Sequence, residues 1–433
     1  MSSYRVLPAS RVTGRIRVPG DKSISHRTMM LGGIAEGRTE VSGFLASADC
    51  LATMEAFRAM GVQVDRHSAT SLTVHGRGLH GLQAPGKVLD MGNAGTAIRL
   101  SMGLLAGQSF ETVLTGDASL RSRPMERVAK PLRLMGADIA TTDGKPPVTV
   151  RPVARLAGID YALPVASAQV KSAILLAGLY AEGLTVVTEP APTRDHTERM
   201  LRGFGVAIET SGARVRLQGR QTLTGTRIDV PGDISSAAFF LVAGCLAGFD
   251  EFVVENVGVN PTRTGVIDIL RLMGADIHLH ARPSQGSEPV ADIEVRRGAL
   301  HGVQVPEALI PLAIDELPVL FIAAAAAAGE TVFTGAAELR VKESDRLAVM
   351  AEGLSRIGVI HELAPDGIRI QGGRRFGGGE VDSHGDHRIA MSFAVASLHS
   401  DAEIRVRDVE NVGTSFPGFV ETACGCGLDV ALT

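Results

Sequence analysis

Tryptophan is absent from this 433-residue chain and aromatic residues make up only 4% of it, so large rings cannot dominate its core. With 45% hydrophobic residues, the interior must be packed from Ala, Val, Leu, Ile and Met. The same scarcity leaves few platforms on which bases could stack, which counts against recognition of single-stranded nucleic acid. Cysteine is scarce too. Of Cys50, Cys245, Cys424 and Cys426 only the last two are close, at a spacing that fits neither a zinc knuckle nor a redox pair, so reduced structural thiols are expected. Residues 1–10 carry no apolar signal core, and the alanine-rich run 323–328 is too short and too weakly apolar to span a bilayer. A net charge of −4 spread over mixed signs argues against a general nucleic-acid or membrane surface, so any basic site must be local. A soluble cytoplasmic protein is the expectation.

What the chain has in quantity is glycine, 50 residues of it, and six of these mark an internal repeat. Gly61, Gly136, Gly205, Gly274, Gly358 and Gly427 each end a helical run and precede a strand-like run, recurring roughly every 70 to 85 residues. Such a glycine is expected where a helix turns left-handed at its C-terminus. A longer helix is predicted upstream in each unit, over 23–36, 93–106, 167–182, 235–247, 315–328 and 386–399. Strand candidates such as Leu184–Thr188, Glu251–Glu255 and Thr331–Thr334 lie between the two helices, and pairs such as Val206–Thr210 and Arg214–Gln218 follow the second. The unit reads β-α-β-α-β-β, and six of them make an α/β (α+β) protein.

The tetrapeptide Val18-Pro19-Gly20-Asp21 recurs as Val230-Pro231-Gly232-Asp233, each copy leading into a long helix, so three repeats fall in each half. If the first strand, near Arg5 to Leu7, lies beside the last, one domain comprises 1–20 plus 230–433 and the other, 21–229, is inserted into it. At 433 residues two domains are also the expectation from length. Two adjacent crossings would then offer a hinge, and a cleft between the halves a place for ligand.

Around the first of those turns Lys22, Ser23 and Arg27 gather at a helix start, with Ser23 a reasonable N-cap, in the outline of an anion site. Ser167-Ala168-Gln169-Val170-Lys171-Ser172 has the same look, whether as anion site or as plain helix cap. Further cations recur at element ends: Arg121, Arg123, Lys171, Arg194, Lys342, Arg346 and Arg388. Lys342 and Arg346 are spaced as one helical turn with Glu343 between them, and Asp315-Glu316 opens another helix. Gly92-Asn93-Ala94-Gly95-Thr96 resembles a phosphate-cradling loop but lacks the lysine-threonine of a P-loop. His384-Gly385-Asp386-His387 and Asp195-His196 invite a metal reading, but no third ligand set is near, and no metal is expected.

Taken in order along nearly the whole chain, these pieces resemble the 5-enolpyruvylshikimate-3-phosphate (EPSP) synthases. The string runs through Pro19-Gly20-Asp21-Lys22-Ser23 with Arg27, Gly92-Asn93-Ala94-Gly95-Thr96, Arg123-Pro124-Met125, Ser167-Ala168-Gln169 and Thr193-Arg194-Asp195-His196-Thr197-Glu198. It continues through Ile314-Asp315-Glu316, Lys342-Glu343-Ser344-Asp345-Arg346, Asp386-His387-Arg388-Ile389-Ala390 and Ser415-Phe416-Pro417. The resemblance implies a two-domain inverted α/β barrel of six βαβαββ repeats, three per domain. It implies transfer of the enolpyruvyl group of phosphoenolpyruvate to the 5-hydroxyl of shikimate-3-phosphate, with no cofactor.

Carried over residue by residue, Lys22, Ser23, Arg27, Ser167, Ala168, Gln169, Arg194, Asp315 and Lys342 would hold shikimate-3-phosphate. Lys22, Gly95, Arg123, Gln169, Arg346 and Arg388 would hold phosphoenolpyruvate. Asp315 would be the base for the hydroxyl, with Lys22 and Glu343 moving the methylene proton. Two phosphates and two carboxylates call for this density of cations, and arginine suits bidentate oxyanions. The family implies a monomer acting on small molecules. Ser167-Ala168-Gln169 and Arg194-Asp195-His196 look like its class II variant, and glyphosate is the inhibitor to consider. Thr414 stands where the common form carries lysine.

Two other readings are weighed. The enolpyruvyl transferase for UDP-N-acetylglucosamine usually opens its site with lysine-asparagine and has a loop cysteine near Arg121, whereas here the pair is Lys22-Ser23 and no cysteine lies between Cys50 and Cys245. A non-catalytic phosphate- or RNA-binding repeat protein is disfavoured by the lack of aromatics and by Asp315 and Glu343 among cations.

Overall fold

A computed structural model describes residues 2–283 and 287–433. Each predicted repeat glycine does adopt the left-handed conformation, with φ between 82° and 117° at Gly61, Gly136, Gly205, Gly274, Gly358 and Gly427. Among the described residues five four-stranded sheets and one three-stranded sheet follow, each with the same plan. In the sheet Asp160–Ala162, Leu184–Thr188, Arg214–Gln218, Ile208–Ser211, the first pair is parallel and the rest antiparallel. The three-stranded sheet has Gln304 bridged in parallel to Val332 where the others have a first strand.

Why the sheets cover rather than fill the core is visible in their alternation. Along Arg214–Gln218 only Val215 and Leu217 are buried, while the flanking arginines face out. Such side chains contribute about 1.5–3 kcal/mol each on burial. The long helices are buried on nearly every side, and those with apolar residues all round cannot lie on a surface. Ile234–Ala247 and Leu317–Ala326 are buried along almost their whole length, as are Lys22–Ile34, Gly95–Leu105, Ala168–Gly178 and His387–Ala396. Helices inside and sheets outside make an inverted α/β barrel.

The chain forms two compact units: one holds residues up to Pro19, Pro231–Pro283 and Pro289–Thr433, the other Gly20–Val230 together with Glu288. In the first unit the strand Ser3–Leu7 pairs antiparallel with Asp429–Leu432, as the repeat count required, and Val12–Arg17 pairs with Gly248–Gly258. In the second, Arg227–Asp229 closes the sheet of Arg38–Ser42.

Small residues let the central helices approach closely. A Cβ on Gly103 would lie 2.1 Å from the carbonyl oxygen of Ala173 on the neighbouring helix, so glycine is required by backbone contact. At Gly205 a Cβ would meet nothing within 4 Å, and only the φ of +86° favours glycine. We therefore expect Gly205→Ala to cost about 1–2 kcal/mol and Gly103→Ala to cost more, because rigid backbone must move. Thermal melts of the two variants check the order, and equal midpoints would remove the packing argument.

Candidate functional site

In the Gly20–Val230 unit the N-terminal turns of three helices meet. The link is direct: Arg99 Nη1 donates to Gln169 Oε1 (2.8 Å), Gln169 Nε2 to Thr96 Oγ1 (3.1 Å), and Arg27 Nη2 to Ser172 Oγ (2.9 Å). Three positive helix ends thus point to one region, which favours anions there. Asp21 caps the first helix by accepting from the Ile24 amide at 2.8 Å. The expectation that Ser23 is the cap is therefore corrected: a carboxylate two residues earlier balances the helix end better, and Ser23 lies in the first turn. Ser167 does cap its helix, with Ala168 as the first helical residue.

Lys22, the first residue of its helix, is ion-paired with the buried carboxylate of Asp49. Arg27 is buried and donates from Nε to Thr197 Oγ1 (2.7 Å) and from Nη1 to the Ser23 carbonyl (3.0 Å). Burial pulls its pKa down to about 10, against the carboxylates of Glu198 and Asp21, with nearby Arg194 adding to the fall. It stays charged at neutral pH. Arg123 donates to Asn93 Oδ1 (2.6 Å) and Ser119 Oγ (3.1 Å), and Gly95 sits under it: a Cβ there would be 3.1 Å from Arg123 Nη1 and 3.2 Å from Arg99 Nη1. Arg194 is half-buried in the loop before the His196–Gly203 helix.

In the other unit Asp315, Lys342, Glu343, Arg346 and Arg388 come together. Arg346 is 1% exposed and donates to Asp386 Oδ2 (2.8 Å), Asp315 Oδ1 (3.3 Å) and Glu343 Oε2 (2.5 Å). Burial alone would lower its pKa, but the charges of Asp386, Glu343 and Asp315 raise it well above the ordinary arginine value. Lys342 Nζ lies 3.7 Å from Asp315 Oδ1, and Arg388 Nη1 donates to the Asp315 carbonyl at 3.0 Å. Lys342 is not one helical turn from Arg346, as their spacing suggested: residues 342–345 are non-helical and the helix begins at Arg346, capped by Asp345. The two cations meet at Asp315 because the chain bends there. Thr414, in the position of the family's lysine, donates its hydroxyl to the Asn411 carbonyl at 2.7 Å.

Other placements differ from expectation. Arg121 is exposed on the short helix Ala118–Ser122, and Lys171 is buried against Glu189 and Glu198. Of the residues that invited a metal reading, Asp386 clamps Arg346 and His196 pairs with Glu288 at 2.8 Å. A cavity of 580 Å³ at the opposite ends of the three helices is lined by Glu36, Arg77, Gly107, Arg155, Tyr180 and Arg220 among others, and by none of the predicted site residues. Reading the sequence missed Asp49, Arg99 and the role of Asp386. Arg99 had a signal, a lone charge one turn after Gly95 in an apolar helix; Asp49 had none.

The architecture of six repeats in two units is shared with the enolpyruvyl transferase NikO from Streptomyces tendae: the folds match over 100% of this chain and 99% of that one, at TM-score 0.78 and 17% identity. The family is shown by closer matches. The model of the EPSP synthase (3-phosphoshikimate 1-carboxyvinyltransferase) family matches residues 6–423, and the chain belongs to that family. The 3-phosphoshikimate 1-carboxyvinyltransferase of Alkalilimnicola ehrlichii is 62% identical over 431 residues, covering 99% of this chain and 96% of that protein. The one from Methylococcus capsulatus is 60% identical over 427 residues, 98% of each. EPSP synthase from Acinetobacter baumannii superposes at TM-score 0.91 with 54% identity over the whole of both chains.

Removing Arg346 should leave the fully buried Asp386 carboxylate unpaired, so Arg346→Ala is expected to lose about 3–5 kcal/mol of stability. Lys22→Ala, whose side chain is 23% exposed, should cost less, although it too leaves a buried carboxylate, that of Asp49, without its ion-pair partner. Melting curves without ligand test this, and an Arg346→Ala protein as stable as the parent would show that the clamp contributes nothing.

Proposed function

We propose that this protein transfers the enolpyruvyl group of phosphoenolpyruvate to the 5-hydroxyl of shikimate-3-phosphate and releases phosphate. Membership of the EPSP synthase family carries this reading. In the reaction the hydroxyl oxygen bonds to C2 of phosphoenolpyruvate as a proton adds to the methylene carbon. Phosphate then leaves C2 and a proton leaves the new methyl, restoring the double bond. One base and one acid suffice.

Asp315 is the proposed base for the hydroxyl. Its carboxylate oxygen lies 3.7 Å from Lys342 Nζ and 3.3 Å from Arg346 Nη1, which hold it in place among cations. Lys22 and Glu343 are proposed to deliver and remove the methylene proton. Ser23, Arg27, Ser167, Ala168, Gln169, Arg194 and Lys342 would hold shikimate-3-phosphate with Lys22 and Asp315. Lys22, Gly95, Arg123, Gln169, Arg346 and Arg388 would hold phosphoenolpyruvate. The density of guanidinium groups at the Gly95 and Asp315 clusters supports that division. The domain roles follow: 21–229 chiefly binds shikimate-3-phosphate, and 1–20 plus 230–433 contributes Asp315, Glu343 and phosphoenolpyruvate-side cations.

Purified protein should release phosphate only when both substrates are supplied; release from phosphoenolpyruvate alone would point to a different reaction. Asp315→Asn keeps the shape but not the base and is expected to lower kcat by about 10²- to 10⁴-fold. A variant with parental kcat would remove Asp315 from that role.

Glyphosate, longer than phosphoenolpyruvate, should compete with it, and Gly95→Ala should relieve the inhibition. The added methyl would press on the Arg123 and Arg99 guanidinium groups and narrow the space beside them. One methyl discriminates by about 10- to 200-fold in such a pocket. Inhibition constants for parent and variant at fixed phosphoenolpyruvate decide it, and a parent already insensitive, or a variant no more resistant, refutes it.

A further inference from the structure

We propose that the buried ion cluster of Lys171, Glu189 and Glu198 is a positioning device that sets Arg194 and Arg27 for the phosphate of shikimate-3-phosphate. The inference rests on the reading of those arginines given above.

Lys171 is 1% exposed and lies on the buried Ala168–Gly178 helix. Burying an ammonium costs several kcal/mol, and an apolar side chain of similar size would usually be at least as stable. Stability alone does not account for a lysine here. Its Nζ is 2.8 Å from Glu189 Oε2 and 2.7 Å from Glu198 Oε1, so it joins three segments: its own helix, the loop after Leu184–Thr188, and the His196–Gly203 helix.

The neighbours of the tied residues are the ones that grip the arginines. Glu189 accepts from the Thr193 hydroxyl through its other oxygen, and the next residue is Arg194. Ser172, beside Lys171, accepts from Arg27 Nη2. Thr197, beside Glu198, accepts from Arg27 Nε and donates its own hydrogen to Ser172 at 2.7 Å. Each anchored residue thus fixes an adjacent one that carries or orients a guanidinium.

Charge agrees with geometry. Two carboxylates face one ammonium, and the remaining negative charge acts on Arg27, for which Glu198 is the strongest favourable charge. Neither oxygen of Glu198 makes a well-directed hydrogen bond among the described residues, so its contribution is electrostatic. Arg27 has five N–H donors, of which three are spent on Thr197, Ser172 and the Ser23 carbonyl. One hydrogen on each Nη is left, a fork suited to two oxygens of a phosphate.

The test uses Thr193→Val, which keeps every charge, and Glu189→Gln, with Lys171→Met as the severe case. Small misplacements of a binding group cost up to about 100-fold, and we expect Thr193→Val and Glu189→Gln to raise KM for shikimate-3-phosphate by about 10-fold or more. KM for phosphoenolpyruvate and kcat should stay within about twofold, since those ligating groups are untouched. In a double-mutant cycle, adding Thr193→Val to Arg194→Ala should cost nothing further, because the residue being positioned is gone.

Equal rises in KM for both substrates, additivity in the cycle, or a lower melting temperature with unchanged KM would each overturn the proposal. Arg194→Ala alone separates the two levels. If it leaves KM for shikimate-3-phosphate unchanged, the assignment of the site is wrong. If it raises KM while Thr193→Val does not, the positioning role alone falls. Should Lys171→Met fail to fold, Thr193→Val still decides.

Discussion

In each unit the controlling constraint is the parallel packing of three buried helices with their N-terminal turns together. Like ends of three dipoles repel one another, and the amides there lack partners inside the helices. Carboxylates offset this at Asp21, Asp233 and Asp386, each accepting from an amide of the helix it precedes. An anionic ligand meets the same demand from outside. The sites therefore follow from how the core is packed.

The two units answer the constraint differently. Between Lys22 and Arg194, hydroxyls and amides complete the arginine shells. Around Asp315 three cations face three carboxylates, with Asp386 fully buried. There, Arg346 is already held by Asp386, Asp315 and Glu343, so an anion reaching it must compete with a carboxylate already in place. Close cation–carboxylate pairing also suits proton transfer, since a base held among fixed charges needs little reorganisation when it accepts its proton.

The repeats were readable because a left-handed helix end leaves few alternatives to glycine, so Gly61 and its five equivalents announce themselves in order. The strand Leu184–Thr188 was readable from its β-branched run, and its bounds match the structure. Helix starts were less so: Asp21 displaced Ser23 as a cap, a choice between two good capping residues that local sequence does not settle. Lys171 was grouped with the cations gathered at element ends, and its burial was not legible because its partners, Glu189 and Glu198, lie 18 and 27 residues away and are joined only by folding. Asp49 was silent for the same reason. Pairing across elements leaves no periodic trace in the chain, whereas a backbone angle leaves a glycine.

The pairing of Ser3–Leu7 with Asp429–Leu432 has a consequence for the order of events during synthesis. Its contacts join residues as far as 430 positions apart, whereas the Gly20–Val230 unit is closed by Arg227–Asp229. As the ribosome extends the chain, the inner unit has all its strands when little more than half the protein has been made. In the outer unit Val12–Arg17 has its partner once Gly248–Gly258 is made, but Ser3–Leu7 must wait for Ile404–Arg407 and Asp429–Leu432. The nascent chain thus carries every strand of the first barrel while Ser3–Leu7 still lacks both of its partners, so the second barrel closes later than the first.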